Sequence, residues 1–241
     1  RHVLVNIAGF EVRAVRDREP VLSLRCIVGR PYRRTPVFSD AISYLVLNPS
    51  WTIPPSIAVQ DKLPLIRKDP DYLARQRIRV FSGWGADAVE VDPASIDWSA
   101  VGARSFPFRL RQEPGELNAL GRMKFMFPNP HNIYLHDTPS RELFTKAVRD
   151  FSSGCIRVER PLDLAVFLLD QEGGWSRERI EAALASTSEQ TVRLPGPVPI
   201  HIQYWTAWVD DSGTVNFRRD LYDRDDRVWS ALQQPPPDAR R

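Results

Sequence analysis

The chain of 241 residues holds only two cysteines, two methionines and four histidines. Two cysteines are too few for a disulfide framework or a cysteine-based zinc site. Long apolar runs are missing as well. The densest, "LAVFLL", stops at Asp170, well short of the roughly 20 apolar residues that span a bilayer. The first residue is Arg1, and no pattern of basic end, apolar centre and small-residue cleavage site follows it, so no targeting signal is legible. The expectation is a catalytic fragment or mature domain cut from a longer precursor. Charge of one sign is not concentrated either: 33 Lys and Arg stand against 30 Asp and Glu, mixed as in "RRDLYDRDDR". A nucleic-acid surface would need a basic stripe with interleaved aromatics, so no nucleic-acid partner is expected. No internal repeat is present, and no coiled-coil or interface pattern argues against a monomer.

The composition itself, 42% hydrophobic and 26% charged, is that of an ordinary globular domain. Residues 1–50 alternate apolar and polar side chains in "HVLVNIAGFEVRAVRD", "PVLSLRCIVGR" and "AISYLVLNP". That pattern predicts hairpins in a sandwich or a strongly bent sheet. After Trp51 the character changes. Residues 52–115 combine a small helix carrying Ile57, Leu63 and Leu65 and interrupted by Pro64, two strands, and a loop rich in proline and tryptophan. An insertion that folds over something is expected there, since long structureless loops in compact domains are often lids.

From Leu117 the pattern returns to β in "LGRMKFMFPN" and "NIYLHDTP". A helix is expected over 139–150, with Thr138 as cap, Pro139 at its first position, and Leu143, Phe144, Ala147 and Val148 as its apolar stripe. A second opens at Pro161 with Leu162, Ala165, Val166 and Leu169 on one face and ends at Gly173-Gly174. A short helix near Arg177–Leu184 precedes strands joined by a "DDSGT" turn. The tail from residue 234 is expected to be disordered, leaving one mainly β α+β domain over 1–233 with a few packed helices and a lid-like insertion.

The chemistry concentrates in "FSSGCIRVERP". Cys26 sits in an alternating strand and reads as a small core residue. Cys155 follows Ser152, Ser153 and Gly154, small and polar neighbours that suit a reactive thiol. His136 ends a strand nineteen residues earlier. A free thiol is only about 3% thiolate at pH 7, and an imidazole partner that accepts its proton raises the supply of nucleophile. Gly154 lets backbone N–H groups converge near the sulfur as an oxyanion hole. Asp137 and Thr138 follow the histidine and orient it by backbone carbonyl or side chain. The bare spacing leaves other readings open: an inert cysteine beside an unrelated histidine, a Cys26–Cys155 disulfide, or a zinc site using His131, His136 and Cys155.

These residues resemble a known family. "NIYLHDTP" and "SSGCIRVERPLDLA" are similar to the signature of the YkuD-type L,D-transpeptidases, through His136, Ser152, Gly154, Cys155, Ile156 and Arg157. "GRPYRRTPVFSDAISYLVLNPSWTIPPSIAV" and "GRMKFMFPNPHNIYLHDTP" resemble its large periplasmic Gram-negative branch, which carries a substrate-capping insertion. One position departs: Ser153 stands where many members have histidine.

The resemblance implies a YkuD-type bent sheet and a cysteine enzyme of cell-wall remodelling, without cofactor or metal, located in the periplasm. Cys155 would attack a peptidoglycan tetrapeptide stem and release D-alanine, and the thioester would pass to the amine of a second stem as a 3→3 cross-link. Water as acceptor would make it an L,D-carboxypeptidase, a D-amino acid would give exchange, and a dead site would leave a binding module. His136 would move the proton, Asp137 orient it and Gly154 hold the oxyanion; carbapenems would acylate Cys155. Candidate substrate contacts are Arg157, Ser153, Tyr134, Phe125 and Asn129, with Met123 and Phe127 beside them; alternation favours the core for Met123, Phe125 and Phe127. His201 reads as a satisfied sheet histidine, and Trp51, Trp84 and Trp98 as lid anchors or glycan contacts.

Overall fold

The computed structural model describes residues 1–85, 87–102, 106–170, 174–210 and 212–234. Alternation builds the first hairpin, β1 (His2–Asn6) with β2 (Glu11–Arg16), where Val3 faces Ala14 and Val5 faces Val12 in register. β3 (Glu19–Ile27) continues antiparallel to β2 and points Leu24 and Cys26 inward. β4 (Phe38–Leu47) follows.

The chain then leaves this sheet. β5 (Trp51–Thr52) leads into a helical stretch made of α1 (Pro55–Ile57), a π-helical turn (Ala58–Lys62) and α2 (Leu63–Lys68), followed by α3 (Tyr72–Arg75). Pro64 does not interrupt it. It lies at the start of α2, directly after the π-helical turn that widens the helix ahead of it. Leu63 and Ile66 are the buried positions, whereas Leu65 is exposed. Strands β6 (Ile78–Ser82), β7 (Val89–Val91) and β8 (Phe108–Gln112) complete a separate four-stranded sheet in the order β5-β8-β6-β7. It has its own apolar core of Trp51, Ile53, Ile66, Leu73, Val80 and Leu110. Trp51 pairs with Gln112, so this excursion leaves and re-enters the main sheet side by side.

β9 (Met123–Met126), β10 (Leu135–His136) and β11 (Ile156–Val158) rebuild the main sheet, and β12 (Gln190–Gln203) runs antiparallel to β4 and parallel to β1. The result is a closed barrel in the order β1-β12-β4-β9-β10-β11-β3-β2, so the bent sheet closes on itself. The register slips between Arg193 and Val198, where Pro195 and Pro197 offer no N–H and the strand bends. Outside the barrel, β13 (Ala207–Val209) and β14 (Val215–Phe217) form the expected hairpin.

Of the helices, α4 (Pro161–Leu169) buries Leu164, Ala165, Phe167, Leu168 and Leu169; of the expected face, Ala165 and Leu169 are buried and Leu162 and Val166 only partly so. The glycine end expected for it falls partly outside the described residues, as do residues 235–241 of the expected tail. α5 (Arg177–Ala185) is capped by Ser176, and α6 (Asp225–Leu232) has no counterpart in the sequence reading.

The helix expected over 139–150 does not form. Only Arg141–Thr145 is helical, as a 3₁₀ turn, and Lys146 is extended. The backbone beyond it is used elsewhere: the Val28 N–H donates to Arg149 O at 2.9 Å and the Ser152 N–H to Val28 O at 3.0 Å. The Arg149 side chain also donates to the carbonyls of Cys26 and Phe10, both at 3.1 Å. Continuation of the sheet edge outcompetes the helix, and Val148 is left exposed.

Candidate active site

The loop before β11 is fixed by a dense set of short-range bonds. Ser152 Oγ donates to Cys155 O at 2.5 Å and accepts the Gly154 N–H at 3.1 Å. Thr35 Oγ1 donates to Gly154 O at 2.7 Å and accepts the Gly29 N–H at 2.9 Å. The buried Tyr222 hydroxyl closes the far side, donating to Gly29 O at 2.6 Å and accepting the Thr35 N–H at 3.1 Å. Gly154 has φ +119°, a region that side chains rarely adopt. Loop 28–35 and the cysteine loop therefore behave as one unit, which is the support a positioned nucleophile needs.

β10 and β11 are parallel, with Leu135 opposite Ile156 and His136 opposite Arg157. Leu135 and Ile156 point into the barrel. By alternation Tyr134, His136, Cys155 and Arg157 share the outer face. β9 adds Lys124 beside His136. Cys155 is half-buried, with its Sγ 3.9 Å from Asn132 O. The Tyr134 hydroxyl lies beside the sulfur without closing a hydrogen bond of good geometry. Tyr134 packs against both the barrel core and the core of the excursion. Its ring lies under Lys124 Nζ at 3.9 Å and 5.7 Å from the His136 ring.

His136 is buried, and its Nδ1 sits 2.5 Å from Asp137 O, a carbonyl that can only accept. The neutral ring therefore carries its proton on Nδ1. Burial, followed by the positive charge of Arg157, pushes the imidazole down to about 3; the Asp137 carbonyl opposes this, Lys124 adds to it, and the Leu120 carbonyl opposes it least. Burial pushes the Cys155 thiol up, and the Tyr134 backbone and hydroxyl, with the Lys124 and Arg157 charges, offset this only in part. Among the described residues no hydrogen bond joins His136 to Cys155 in this resting arrangement. Thiol and imidazole are both neutral, and a thiolate–imidazolium pair is not the ground state.

A pH dependence follows. Thiolate grows with pH up to the raised pKa, so alkylation of Cys155 by iodoacetamide should climb about tenfold per pH unit from 6 to 8 and keep rising beyond 8.5, with no inflection near 6.5. A rate that is flat from pH 5 to 8 would signal an ion pair instead.

The remaining expected residues divide clearly. Arg157 is largely buried, has no ion-pair partner among the described residues, and leaves its Nε without an acceptor. A structural ion pair thus does not account for it. The Ser153 hydroxyl is exposed and accepts from Arg33 at 2.8 Å. The Gly154 N–H, expected to hold an oxyanion, is taken by Ser152 Oγ in the resting loop. Phe125 is not a groove residue: it is fully buried between Leu45 and Leu135 inside the barrel, with Met123 and Phe127 on the same inward alternation. Asn129 is consumed by its own loop, donating to Phe127 O at 2.6 Å and Ile133 O at 2.7 Å while its Oδ1 accepts the N–H groups of His131 and Ile133.

Both cysteines are free thiols, and Cys26 is buried in the barrel core. Among the described residues no three His, Cys, Asp or Glu side chains are placed to hold a metal, and no helix is long and apolar enough to cross a membrane. The His131 ring lies tilted against Phe38, centroids 4.9 Å apart, and His201 Nδ1 pairs with Ser39 Oγ at 2.8 Å. Trp98 anchors itself by donating to Pro93 O at 3.0 Å, and Trp84 is half-exposed.

Two contributors were not singled out in the sequence as site groups. Lys124 carried a signal, a lone cation in the apolar strand "MKFM". The Asn132 carbonyl carries none, being backbone. Trp51 is more than a lid anchor: its buried indole N–H points toward the Tyr134 hydroxyl without closing a hydrogen bond of good geometry.

The family profile described as YkuD, L,D-transpeptidase catalytic domain, matches residues 1–200. A Haemophilus influenzae protein whose description proposes an L,D-transpeptidase is 38% identical over 226 residues, covering 94% of this chain and 45% of that protein. The chain thus spans about half the length of that relative. Among solved structures, an L,D-transpeptidase from Mycobacterium smegmatis aligns with TM-score 0.40 and 10% identity, covering 83% of this chain and 57% of that one. The transpeptidase LdtMt1, in complex with imipenem, aligns with TM-score 0.36 and 11% identity over the same shares, 83% and 57%.

Proposed function

Because the chain belongs to the YkuD family of L,D-transpeptidase catalytic domains, we propose that it forms 3→3 cross-links in periplasmic peptidoglycan through a thioester on Cys155. The observation that carries this reading is the thiol itself. It is held on a rigid loop, touched by Tyr134, and placed on one face with a neutral His136 and an Arg157 that has no ion-pair partner among the described residues.

In the first half-reaction Sγ adds to the carbonyl of the diaminopimelate–D-alanine bond of a tetrapeptide stem. Because neither partner is charged at rest, the thiol proton leaves as the S–C bond forms, and the unprotonated nitrogen of His136 is the acceptor. Collapse breaks the C–N bond, and His136 returns the proton to the departing D-alanine amine. In the second half the side-chain amine of another stem attacks the thioester, gives up a proton to His136, and releases the Cys155 thiol. Asp137 orients the imidazole through its carbonyl.

The Cys155 N–H is the oxyanion donor we assign, with Gly154 joining only if Ser152 Oγ turns away. Arg157, largely buried and without an ion-pair partner among the described residues, fits a substrate carboxylate. The sheet and helices of residues 51–112 are the cap over the donor. The same thiol would open the β-lactam of a carbapenem.

Incubation with disaccharide-tetrapeptide and mass spectrometry of the products tests the reading. Dimers one D-alanine lighter than two donors are expected. Tripeptide without dimer would identify the carboxypeptidase instead, and unchanged substrate would leave a binding module.

A further inference from the structure

A polar cluster that the proposed chemistry does not use lies beside the nucleophile loop. Arg33 projects from loop 28–35, the loop welded to the cysteine loop through Thr35, Tyr222 and Gly29. Gly29 marks how closely these segments pack, since a Cβ there would lie 2.1 Å from Arg33 O.

The guanidinium spends all its terminal N–H groups. Nη1 donates to Asp61 Oδ2 at 2.6 Å and to Ser153 Oγ at 2.8 Å; Nη2 donates to Asp61 Oδ1 at 2.9 Å and to Gln60 Oε1 at 2.5 Å. Gln60 and Asp61 belong to the π-helical turn of the excursion, a rare helical form frequent at functional sites. Ser153 neighbours the nucleophile. Among the described residues this is the ion pair that ties the helical segment 55–68 to the barrel. The fork geometry is what matters: one planar group serves a carboxylate bidentately and still reaches the cysteine loop, which a lysine cannot do. Serine at 153 also fits, because its short side chain ends where the guanidinium begins.

We propose that Arg33 is a positioning residue for the transfer: it registers the cap on the nucleophile loop through Asp61, and so sets how tightly a donor stem is held over Cys155. The inference rests on the transpeptidase reading for the identity of the donor, though not for the existence of the latch. Ser153 makes the connection direct. The latch is specific to an arginine at 33, a carboxylate at 61 and a small hydroxyl residue at 153.

Asp61→Asn removes the charge at nearly constant shape, on the cap and away from the reacting atoms. Its hydrogen exchange should rise at least about tenfold at amides 55–68 and stay unchanged in β3 and β11. On the Cys155→Ala background, which binds without turnover, its Kd for disaccharide-tetrapeptide should rise about tenfold. With Cys155 present, KM should rise while kcat moves by less than about threefold. Arg33→Lys should behave like Asp61→Asn despite keeping its charge. The charge-reversed pair Arg33→Glu with Asp61→Arg should recover most of the exchange protection that Arg33→Glu alone loses.

Wild-type exchange at 55–68 in Asp61→Asn would overturn the latch. Faster exchange with unchanged donor affinity would overturn its positioning role. Equal acceleration in β3 and β11 would mean general destabilisation and would also overturn it. A Cys155→Ala protein that binds no stem at all would instead sink the transpeptidase reading, and the exchange arm would still decide the latch.

Discussion

Replacing Cys155 by alanine is expected to reduce dimer formation by about 10⁴-fold or more, because in the proposed mechanism both half-reactions run through a thioester on its sulfur. The fold should not change with it. The sulfur makes one long contact to Asn132 O, and the bonds that shape its loop run through Ser152, Gly154 and Thr35. Loss of a half-buried sulfur should alter stability by about 1 kcal/mol at most. An unchanged melting curve with no products separates lost chemistry from lost structure. Dimer formation persisting in the variant would remove the thiol from the mechanism.

His136→Gln should lower kcat/KM by about 10²-fold or more, the usual scale for loss of a general acid–base group. Glutamine is the better test than alanine. The imidazole is buried beside the Tyr134 ring and its Nδ1 meets Asp137 O, so truncation would add a cavity and an orphaned carbonyl to the kinetic effect. The substitution also has a signature in stability. The imidazole is held down to about 3, so the folded state binds its proton only below that pH, whereas the unfolded chain binds one below about 6.5. Stability contributed by the neutral ring is therefore complete above about pH 6.5 and is lost as pH falls towards 3; His136→Gln should flatten that decline. Activity within threefold of wild type would assign the proton to Tyr134 or Lys124 instead.

What could be read from the sequence depended on range. Alternation in β1 to β4 and the Pro161 and Arg177 helices are local patterns, and all were legible. The pairing of β1 with β12, nearly 200 residues apart, leaves no local mark, so a bent sheet could be foreseen but not its closure. The segment 139–150 carries a helical stripe and a cap, yet its backbone is claimed by Val28 and its arginine by the carbonyls of β3 and the first turn. Local propensity lost there to a tertiary partner. Cys155 and His136 stood out because the residue types around them were unusual. Arg33 and Asp61 did not, because each acquires its role only when the excursion folds back over the barrel. Phe125 was legible as core by its alternation, and the barrel interior is where it lies.

The most direct test is the mass of the enzyme itself after brief mixing with disaccharide-tetrapeptide, acid quench and peptide mapping. The account predicts an adduct equal to the donor minus D-alanine, carried by the peptide that contains Cys155 and lost on thioester cleavage by hydroxylamine. An adduct on any other residue, or turnover with no covalent species at burst times, would contradict it.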